Sequence, residues 1–465
     1  MVNDVKELIA IESVLGTAAD NAPFGPDPRA ALDWFLRKAG SYGLKTGELD
    51  GYCGWAEYGA GDKMIGMLCH LDVVPADPAG WTSATYSAEV RDGRLYGRGA
   101  ADDKGPAVAC LHVLKRLKEE NADLGVRVRV IVGCNEENGS ACMKYYRAHG
   151  ELPDVNLVPD ADFPVINSEK TIYQTKYFLP AGAFMSDNAE SLTAGSRPNV
   201  VPAYAELRVK PGSALEARLT ALGGDNGLFS RSPVADMLVT DGHRFDDFSL
   251  RRDGGRYVLS AVGVAGHAME PEKGDNAVAK LFSVLAALTD DETVQKLYDR
   301  LLSPLAPEKL GIAVADKQSG HLTLNVGTAG LAGGELVFSL DMRCPVSCDT
   351  GTLPSRIAAA MAGGRFETIH VSPYLYIDEN SPLVKTLLEV YTSVTGEAGY
   401  TVQTGGGTYA RELPRSIAFG ATFPGTETNI HNADESYPVA HLDLLEKIYR
   451  TAAKALAEKL KKGEL

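Results

Sequence analysis

Residues 70–106 read HLDVVPADPAGWTSATYSAEVRDGRLYGRGAADDKGP, and the predicted fold is built around this stretch. It opens with His70 and Asp72 and closes with the adjacent carboxylates Asp102 and Asp103. The apolar run MIGMLC at residues 64–69 precedes it and is typical of a buried parallel strand. In α/β sheets, ligands bind beyond the carboxyl ends of such strands. Burying an imidazole and several carboxylates there is costly unless a partner such as a metal ion compensates for them.

Length, composition and charge limit the class of protein. A chain of 465 residues is too long for one ordinary domain and suggests two or three, each able to bury a core. Its content of 45% hydrophobic and 23% charged residues is that of a folded chain. A net charge of −15 argues against a nucleic-acid partner, because phosphates require basic surfaces. No apolar run approaches the ~20 residues of a membrane span, so no membrane association is predicted.

The N-terminus and the cysteines indicate a compartment. The start, MVNDVKELIAIESVLG, mixes acidic and apolar residues and lacks the basic region of a signal peptide. The seven cysteines are scattered without a CxxC pair, and Cys344 and Cys348, spaced CxxxC, are expected to stay unpaired. Reduced thiols of this kind are typical of the cytoplasm, which is the predicted location.

Strand and helix patterns alternate around the opening stretch. Helices are predicted over 3–15, 28–43, 105–119 and 140–148, and strands over 64–69, 126–134 and 155–163. The same alternation returns after residue 380, with helices over 382–395 and 441–462 and a strand over 416–420. This pattern predicts an α/β fold with a mainly parallel central sheet flanked by helices.

The middle of the chain has a different pattern. Residues 171–378 contain alternating strands at 205–209, 257–264, 322–326 and 336–342, with helices predicted over 213–222, 275–289 and 352–362. We therefore expect a catalytic domain in two parts, 1–168 and 380–465, and an inserted α+β domain over 169–379. The insert is about twice the length of a small domain, which is consistent with a duplication.

Potential ligands form five clusters at predicted strand ends or loops. They are His70/Asp72, Asp102/Asp103, Glu136/Glu137, Asp160 and His431. Each cluster alone has an ordinary explanation, such as a surface histidine, a solvated acidic pair or a turn residue. Their repeated position after apolar strands favours one shared site. Imidazole and carboxylate ligands suit zinc, manganese or cobalt, and a pair of ions needs one bridging carboxylate and a further carboxylate to accept a proton from water.

Several short motifs together carry a family resemblance. HLDVVP, GRGAADDKGP, NEENGS, PDADFPVINSEK, GGGTYAR and IHNADE are similar to the metallopeptidase superfamily of carnosinase, acetylornithine deacetylase and succinyl-diaminopimelate desuccinylase. The dipeptidase V branch, whose lid domain is enlarged, is the most similar part of it. The resemblance covers nearly the whole chain. It implies a phosphorylase/hydrolase-like catalytic domain, an inserted lid and a monomer.

The resemblance assigns a role to each cluster. Two divalent metal ions per chain, with zinc favoured and manganese or cobalt as alternatives, would be held by His70, Asp102, Glu137, Asp160 and His431. Asp102 would bridge the ions, and each histidine would bind one of them. Glu136 would be the general base and acid, and Asp72 would hydrogen-bond His70 and fix its tautomer. The family also has a cis peptide bond after the bridging residue, here between Asp102 and Asp103.

The insert and the loop before His431 supply further candidates. His267, between an apolar strand and a helix, is a candidate oxyanion donor, although it could instead cap the next helix. By resemblance Asn199 and Arg343 would contact substrate, with Arg343 clamping a carboxylate; the alternative is a buried arginine paired with Asp341. Gly405, Gly406 and Gly407 precede a predicted helix start and would offer backbone N–H groups to the C-terminal carboxylate of a peptide.

These observations predict a metal-dependent dipeptidase acting on small peptides with a free N-terminus. One alternative on the same fold is a deacylase of N-acyl amino acids, such as a desuccinylase or deacetylase. A second alternative is a non-catalytic relative that binds a metal or a peptide. A structural zinc protein is disfavoured because carboxylates, not thiolates, dominate the ligand set.

Overall fold

The computed structural model describes residues 1–230, 234–240, 242–303 and 305–465. Its helices are α1 Val2–Ile9, α2 Pro26–Ser41, α3 Lys104–Glu119, α4 Ala141–His149, α5 Gly182–Asn188, α6 Ala214–Ala221, α7 Val234–Thr240, α8 Ala277–Leu288, α9 Glu292–Lys296, α10 Leu353–Met361, α11 Pro382–Thr395 and α12 Val439–Lys461. None of the helices in these residues combines the length and apolarity needed to cross a lipid bilayer.

The strands follow in chain order. They are β1 Lys45–Leu49, β2 Cys53–Gly59, β3 Met64–His70, β4 Glu89–Arg91, β5 Arg94–Tyr96, β6 Arg127–Gly133, β7 Val155–Val158, β8 Val165–Glu169, β9 Thr171–Pro180, β10 Ala189–Ala194, β11 Val200–Val201, β12 Tyr204–Val209, β13 Phe248–Asp253, β14 Arg256–Val262, β15 Gly266–His267, β16 Ala315–Asp316, β17 Gly320–His321, β18 Thr323–Ala332, β19 Glu335–Cys344, β20 Arg365–Ser372, β21 Leu375–Tyr376, β22 Thr401–Thr404, β23 Ser416–Ala418 and β24 Ser436–Pro438.

The chain divides into two compact units. The first unit contains 1–168, 375–403 and 407–465, and the second contains 169–374 and 404–406. Each unit encloses its own cluster of buried apolar side chains. Each therefore has the separate hydrophobic core expected of a domain.

The first unit is built on a sheet with the order β1-β2-β6-β3-β7-β23-β8-β21. Its centre is parallel, because β3 pairs in parallel with β6 and β7, and β23 pairs in parallel with β7. The predicted α/β fold with a mainly parallel central sheet is confirmed. Every residue of β3 is buried, which explains why its sequence is continuously apolar instead of alternating.

Helix α3 follows directly from the opening stretch. Pro106 lies in its first turn, where no intrahelical N–H is needed, and Arg116 and Lys118 lie in the last turn, where cations favour the helix dipole. Its apolar face, with Val108 and Leu111 among its buried residues, packs on β2, β3 and β6. The helix therefore fixes the position of the residues that precede it.

The first helix is shorter than predicted. The sequence pattern predicts a helix over 3–15, but α1 ends at Ile9. The hydroxyl of Ser13 donates to the Leu71 carbonyl at 2.5 Å, and the Val73 N–H donates to the Ser13 carbonyl at 3.1 Å. Bonds between the segment around Ser13 and the segment that follows β3 replace the helical ones.

The second unit contains an antiparallel sheet with the order β13-β14-β12-β10-β18-β19-β9-β20. At its middle, β10 and β18 share only the pairs Thr193↔Gly330 and Ala194↔Ala329. Four strands lie on each side of this junction, as a duplicated domain would give. The separate α+β sheet domain is confirmed, and its origin by duplication stays a prediction.

Candidate metal centre

Three of the predicted clusters lie at the carboxyl ends of adjacent strands. His70 ends β3, Glu136 and Glu137 follow β6, and Asp160 follows β7. Because β6, β3 and β7 are neighbouring parallel strands, their carboxyl ends meet at one edge of the sheet. The fold of the first unit therefore brings these side chains together.

The remaining two clusters come from loops of the same unit. Asp102 lies just before α3, and His431 lies five residues before β24. Strand β24 pairs with β5 in the register Ser436↔Tyr96, which holds the loop after β5 beside the loop before β24. This pairing brings Asp102 and His431 to the same place despite their distance in sequence.

The carboxylate of Asp102 lies between the two imidazoles. Its Oδ1 is 2.8 Å from Nε2 of His70, and its Oδ2 is 2.9 Å from Nε2 of His431. Each imidazole also faces a second carboxylate: His70 Nε2 is 3.7 Å from Oδ2 of Asp160, and His431 Nε2 is 3.1 Å from Oε1 of Glu137. The arrangement is a pair of His–carboxylate sites that share one residue.

Asp72 contacts both His70 and the Glu136–Glu137 segment. Its main-chain carbonyl oxygen is 2.9 Å from Nδ1 of His70, so a neutral ring protonated at Nδ1 presents the Nε2 lone pair to the site. Its carboxylate lies farther away, with Oδ1 3.6 Å from Nδ1. The two carboxylate oxygens instead accept the N–H groups of Glu136 and Glu137, at 3.0 and 3.1 Å. The hydrogen bond to His70 is therefore made by the carbonyl, and the carboxylate positions the two glutamates.

The two imidazoles differ in their exposure to solvent. The side chain of His70 is 1% exposed, whereas that of His431 is 48% exposed. His70 also ends a buried strand, while His431 is held by a loop. An ion on the His431 side would therefore be more accessible to solvent than one on the His70 side.

Proximity shifts the protonation equilibria of the cluster. Burial, followed by the charges of Glu137 and Asp102, raises the pKa of Glu136 to about 8, although His70 opposes this. Burial would lower the pKa of His431, but the adjoining Asp102 and Glu137 outweigh it and raise the pKa to about 11. Burial also raises the pKa of Asp160. Without cations, this acidic cluster retains protons that divalent ions would displace.

The donor atoms fit divalent metal ions. One ligand atom from each of His70, Glu136 and Asp160 lies within 4.8 Å of the other two, and the same is true of His70, Asp102 and Glu137. These donors are imidazole nitrogens and carboxylate oxygens, a set that suits zinc, manganese or cobalt. Glu136 thus reaches the space in which the ligands converge. The peptide bond between Asp102 and Asp103 is cis, as the resemblance implies.

The predicted lid residues lie in the second unit. Nδ1 of His267 accepts the N–H of Met269 at 3.1 Å, so in the neutral ring the proton is on Nε2, where it could be donated. The carbonyl of Asn199 accepts the N–H of Ala268 at 3.0 Å and so supports the position of His267. The functional roles of His267 and Asn199 stay predictions.

Arg343 makes the ion pair that the alternative interpretation described. Its Nε and Nη2 donate to the two carboxylate oxygens of Asp341 at 2.6 and 3.1 Å, and both side chains are buried. Its Nη1 donates to the Gly405 carbonyl at 2.8 Å. Three of the five N–H donors of an arginine are therefore engaged inside this unit. Its role as a substrate clamp stays a prediction.

The glycine loop differs in detail from the sequence prediction. The N–H of Gly406 donates to the hydroxyl of Thr404 at 3.0 Å instead of being available to an anion. The element that follows is a single 3-10 turn, Tyr409–Arg411, not an α-helix. Anion binding by Gly405, Gly406 and Gly407 stays a prediction.

Sequence reasoning assigned no role to Glu435. This residue belongs to the motif IHNADE, and its side chain is fully buried beside the loop of Asp102. The available signal was an acidic residue four positions after a candidate ligand, but such spacing does not distinguish a buried carboxylate from a solvated one.

Known proteins resemble this chain over most of its length. The model of peptidase family M20/M25/M40 matches residues 66–455. The chain is 36% identical over 470 residues to YtjP of Bacillus subtilis, provisionally named a dipeptidase, with 98% of this chain and 97% of the relative covered. Similar solved structures include the M20 metallo-carboxypeptidase Sso-CP2 from Sulfolobus solfataricus, with a TM-score of 0.58, 18% identity, and coverage of 98% of this chain and 99% of that one. Human carnosine dipeptidase 1 is similar with a TM-score of 0.57 and 14% identity, and the match covers 98% of this chain and 96% of that one. At these identities the two structures show a shared fold alone.

Proposed function

This chain belongs to peptidase family M20/M25/M40, and on that premise we propose that it is a metal-dependent dipeptidase acting on dipeptides with a free N-terminus. The observation that carries the proposal is the carboxylate of Asp102, which presents one oxygen to His70 and the other to His431. A shared carboxylate between two His–carboxylate pairs is the ligand arrangement that a dinuclear hydrolase needs.

Two divalent ions would be held by the residues of the first unit. One would bind His70, Asp102 and Asp160, and the other would bind His431, Asp102 and Glu137. When bound, the ions would lower the pKa of a shared water and polarise the scissile carbonyl. We propose zinc as the resident metal, with manganese or cobalt as alternatives, since the same ligands accept all three.

Glu136 is the proposed general base and acid. Its backbone is held by the Asp72 carboxylate, and its side chain reaches the space shared by the ligands. It would take one proton from the attacking water as the oxygen adds to the amide carbon. It would then give that proton to the amide nitrogen as the C–N bond breaks, which balances the hydrolysis.

The groups proposed to bind the substrate lie in the second unit, apart from Gly407, which belongs to the first. We propose that His267 donates from Nε2 to the oxyanion, which requires the tautomer favoured by the Met269 N–H. Asn199, Arg343 and the loop Gly405–Gly407 are proposed to contact the ends of the peptide.

The substrate class is tested by a hydrolysis panel. Metal-free protein is supplied with Zn²⁺ or Mn²⁺ and assayed with unblocked dipeptides, tripeptides, and N-acetyl and N-succinyl amino acids. The proposal expects the highest kcat/KM for unblocked dipeptides. Faster cleavage of the acylated amino acids would identify a deacylase instead, and no hydrolysis of any compound would identify a non-catalytic relative.

Location and assembly are also proposed. We propose a cytoplasmic location, supported by free thiols at all seven cysteines. We propose a monomer, because an eight-stranded sheet made of two four-stranded halves could replace a contact between the lids of two subunits. A mass measured by light scattering would test this, since a monomer has the mass of 49.6 kDa.

A further inference from the structure

A fully buried carboxylate outside the ligand set joins the two loops of the site. Oε1 of Glu435 accepts the N–H groups of Gly99, Ala101 and Asp102 at 3.1, 3.0 and 3.3 Å. Its Oε2 accepts Nη1 of Arg98 at 2.6 Å. The side chain is 0% exposed, so these donors replace the water that a carboxylate would otherwise bind.

The main chain of Glu435 makes a further contact to the same loop. Its carbonyl accepts the N–H of Gly97 at 3.0 Å, next to the pair Ser436↔Tyr96. Glu435 also lies four residues after His431 in the same loop. One residue therefore connects the segment that carries the bridging carboxylate to the segment that carries the exposed imidazole.

Glu435 differs from another buried carboxylate of the first unit, Glu57, in the groups that donate hydrogen bonds to it. Glu57 is a comparable buried carboxylate of the same unit, 2% exposed, and its Oε2 accepts Nε and Nη2 of Arg129 at 2.9 and 2.6 Å. Glu57 lies within a strand and is paired across the sheet with an arginine of the neighbouring strand. Glu435 instead accepts three backbone N–H groups of one loop, and the last of them belongs to the proposed bridging ligand Asp102.

We propose that Glu435 is a positioning residue that holds Asp102 in its bridging position before any ion binds and ties it to His431. This inference rests on the proposed dinuclear function. His70 ends strand β3 and Asp160 closely follows β7, so we expect both to keep their positions without Glu435, whereas His431 depends on a loop. Loss of the Glu435 contacts should therefore weaken the binding of the ion on the His431 side more than the binding of the ion on the His70 side.

The first test is the binding of Mn²⁺ to Glu435→Gln. Glutamine keeps the size of the side chain, but its amide group can accept hydrogen bonds at one end only, so one set of contacts is lost. Metal-free wild type and variant are titrated with Mn²⁺ and followed by electron paramagnetic resonance, which distinguishes isolated ions from a coupled pair. We expect the second Mn²⁺ to bind at least ~10-fold more weakly while the first is retained, and the coupled signal to disappear at ion concentrations that saturate the wild type.

A matched control separates positioning from stability. Glu57→Gln also removes the charge of a buried carboxylate paired with arginine, and it should retain both ions and the coupled signal. Equal affinity of Glu435→Gln and wild type for both ions would overturn the proposal. An equal loss of affinity for the second ion in Glu57→Gln would also overturn it. The effect would then follow from the loss of any buried carboxylate–arginine pair.

A second measurement needs no variant and decides the question if Glu435→Gln does not fold. Hydrogen exchange of residues 97–103 is compared in wild type with and without Mn²⁺. Since the Glu435 carboxylate accepts the N–H groups of Gly99, Ala101 and Asp102 without any bound ion, we expect the protection of these three amides to persist in the metal-free protein. Exchange at the rate of an unfolded peptide, while the strands of the first unit remain protected, would overturn the proposal.

The proposed function and the proposed role of Glu435 can be contradicted by different results. A wild type that binds no Mn²⁺, or that hydrolyses no peptide, would contradict the proposed function. A wild type that binds a coupled pair of ions and loses the protection of 97–103 on metal removal would contradict only the role of Glu435.

Discussion

Oδ2 of Asp102 and Nε2 of His431 lie 2.9 Å apart, although the two residues are far apart in the sequence. The other oxygen of Asp102 lies 2.8 Å from His70. The first unit therefore assembles its site from a strand end, a loop before a helix and a loop near the C-terminus. Substitutions of single residues in this assembly can show whether it holds two ions and what each residue contributes.

Replacing Glu136 should remove catalysis and leave the metal content intact. For Glu136→Gln we expect kcat to fall by ~10²–10⁴, because proton transfer to and from the reacting groups is lost. Metal analysis should still find two ions per chain. Loss of an ion would reassign Glu136 as a ligand, which its closeness to His70 and Asp160 allows, and an unchanged kcat would exclude it as the base.

Replacing His431 should remove one ion. His431 faces only Asp102 and Glu137 among the proposed ligands, so His431→Ala should retain the ion on the His70 side and lose the other. The readout is metal stoichiometry after equilibrium dialysis. His149→Ala, which changes a histidine at the end of α4, is the control and should keep two ions. Two ions in both variants would remove His431 from the ligand set.

Replacing His267 should reduce turnover without changing the metal content. If Nε2–H stabilises the oxyanion, His267→Ala should lower kcat by ~10²–10³ while KM changes little. Metal stoichiometry should stay at the wild-type value, because His267 belongs to the second unit. His321→Ala provides the control in the same unit. A His267→Ala enzyme with the wild-type kcat would refute the catalytic role of this residue.

Asp4 should make stability dependent on pH in the acidic range. Burial alone would raise the pKa of Asp4, but hydrogen bonds from Tyr42, His112 and Lys38 outweigh it and lower the pKa to about 2. Because the folded pKa is below the unfolded one, this contribution is fully present above the unfolded pKa of ~3.9 and is lost as the pH falls toward about 2.

The corresponding measurement is the free energy of unfolding in urea between pH 3 and pH 6. Asp4→Asn should be less stable than wild type at pH 6, and the difference should shrink as the pH falls toward 3. A difference that is constant over this range would show that the charge of Asp4 does not stabilise the fold.

Sequence patterns were sufficient for the elements that place the site. The apolar run before His70 is a buried parallel strand, whose composition is distinctive because both faces are covered. The segment before Glu136, which alternates and then becomes apolar, is the strand β6. Helix α3 also follows its prediction closely, with Lys104–Glu119 observed and 105–119 predicted. In each case a local pattern and the tertiary environment favour the same structure.

Other features depend on contacts that the sequence pattern does not contain. The apolar spacing of residues 3–15 fits a helix, yet Ser13 bonds to Leu71 and Val73 and the helix stops at Ile9. The carboxylate of Asp72 binds two N–H groups of a distant loop, which only the folded chain brings near. The burial of Glu435 likewise depends on the pairing of β5 and β24. Long-range pairing, not local propensity, decides these positions.

The most direct test of the central claim is dipeptide hydrolysis during a metal titration. Protein stripped by a chelator is supplied with increasing Zn²⁺, Mn²⁺ or Co²⁺, and the initial rate is measured together with the bound metal. The account predicts no hydrolysis without metal, and a rate that reaches its maximum at two ions per chain for wild type but stays near zero for Asp102→Asn. Activity that survives complete metal removal, or a maximum rate that Asp102→Asn also reaches, would contradict a dinuclear dipeptidase bridged by Asp102.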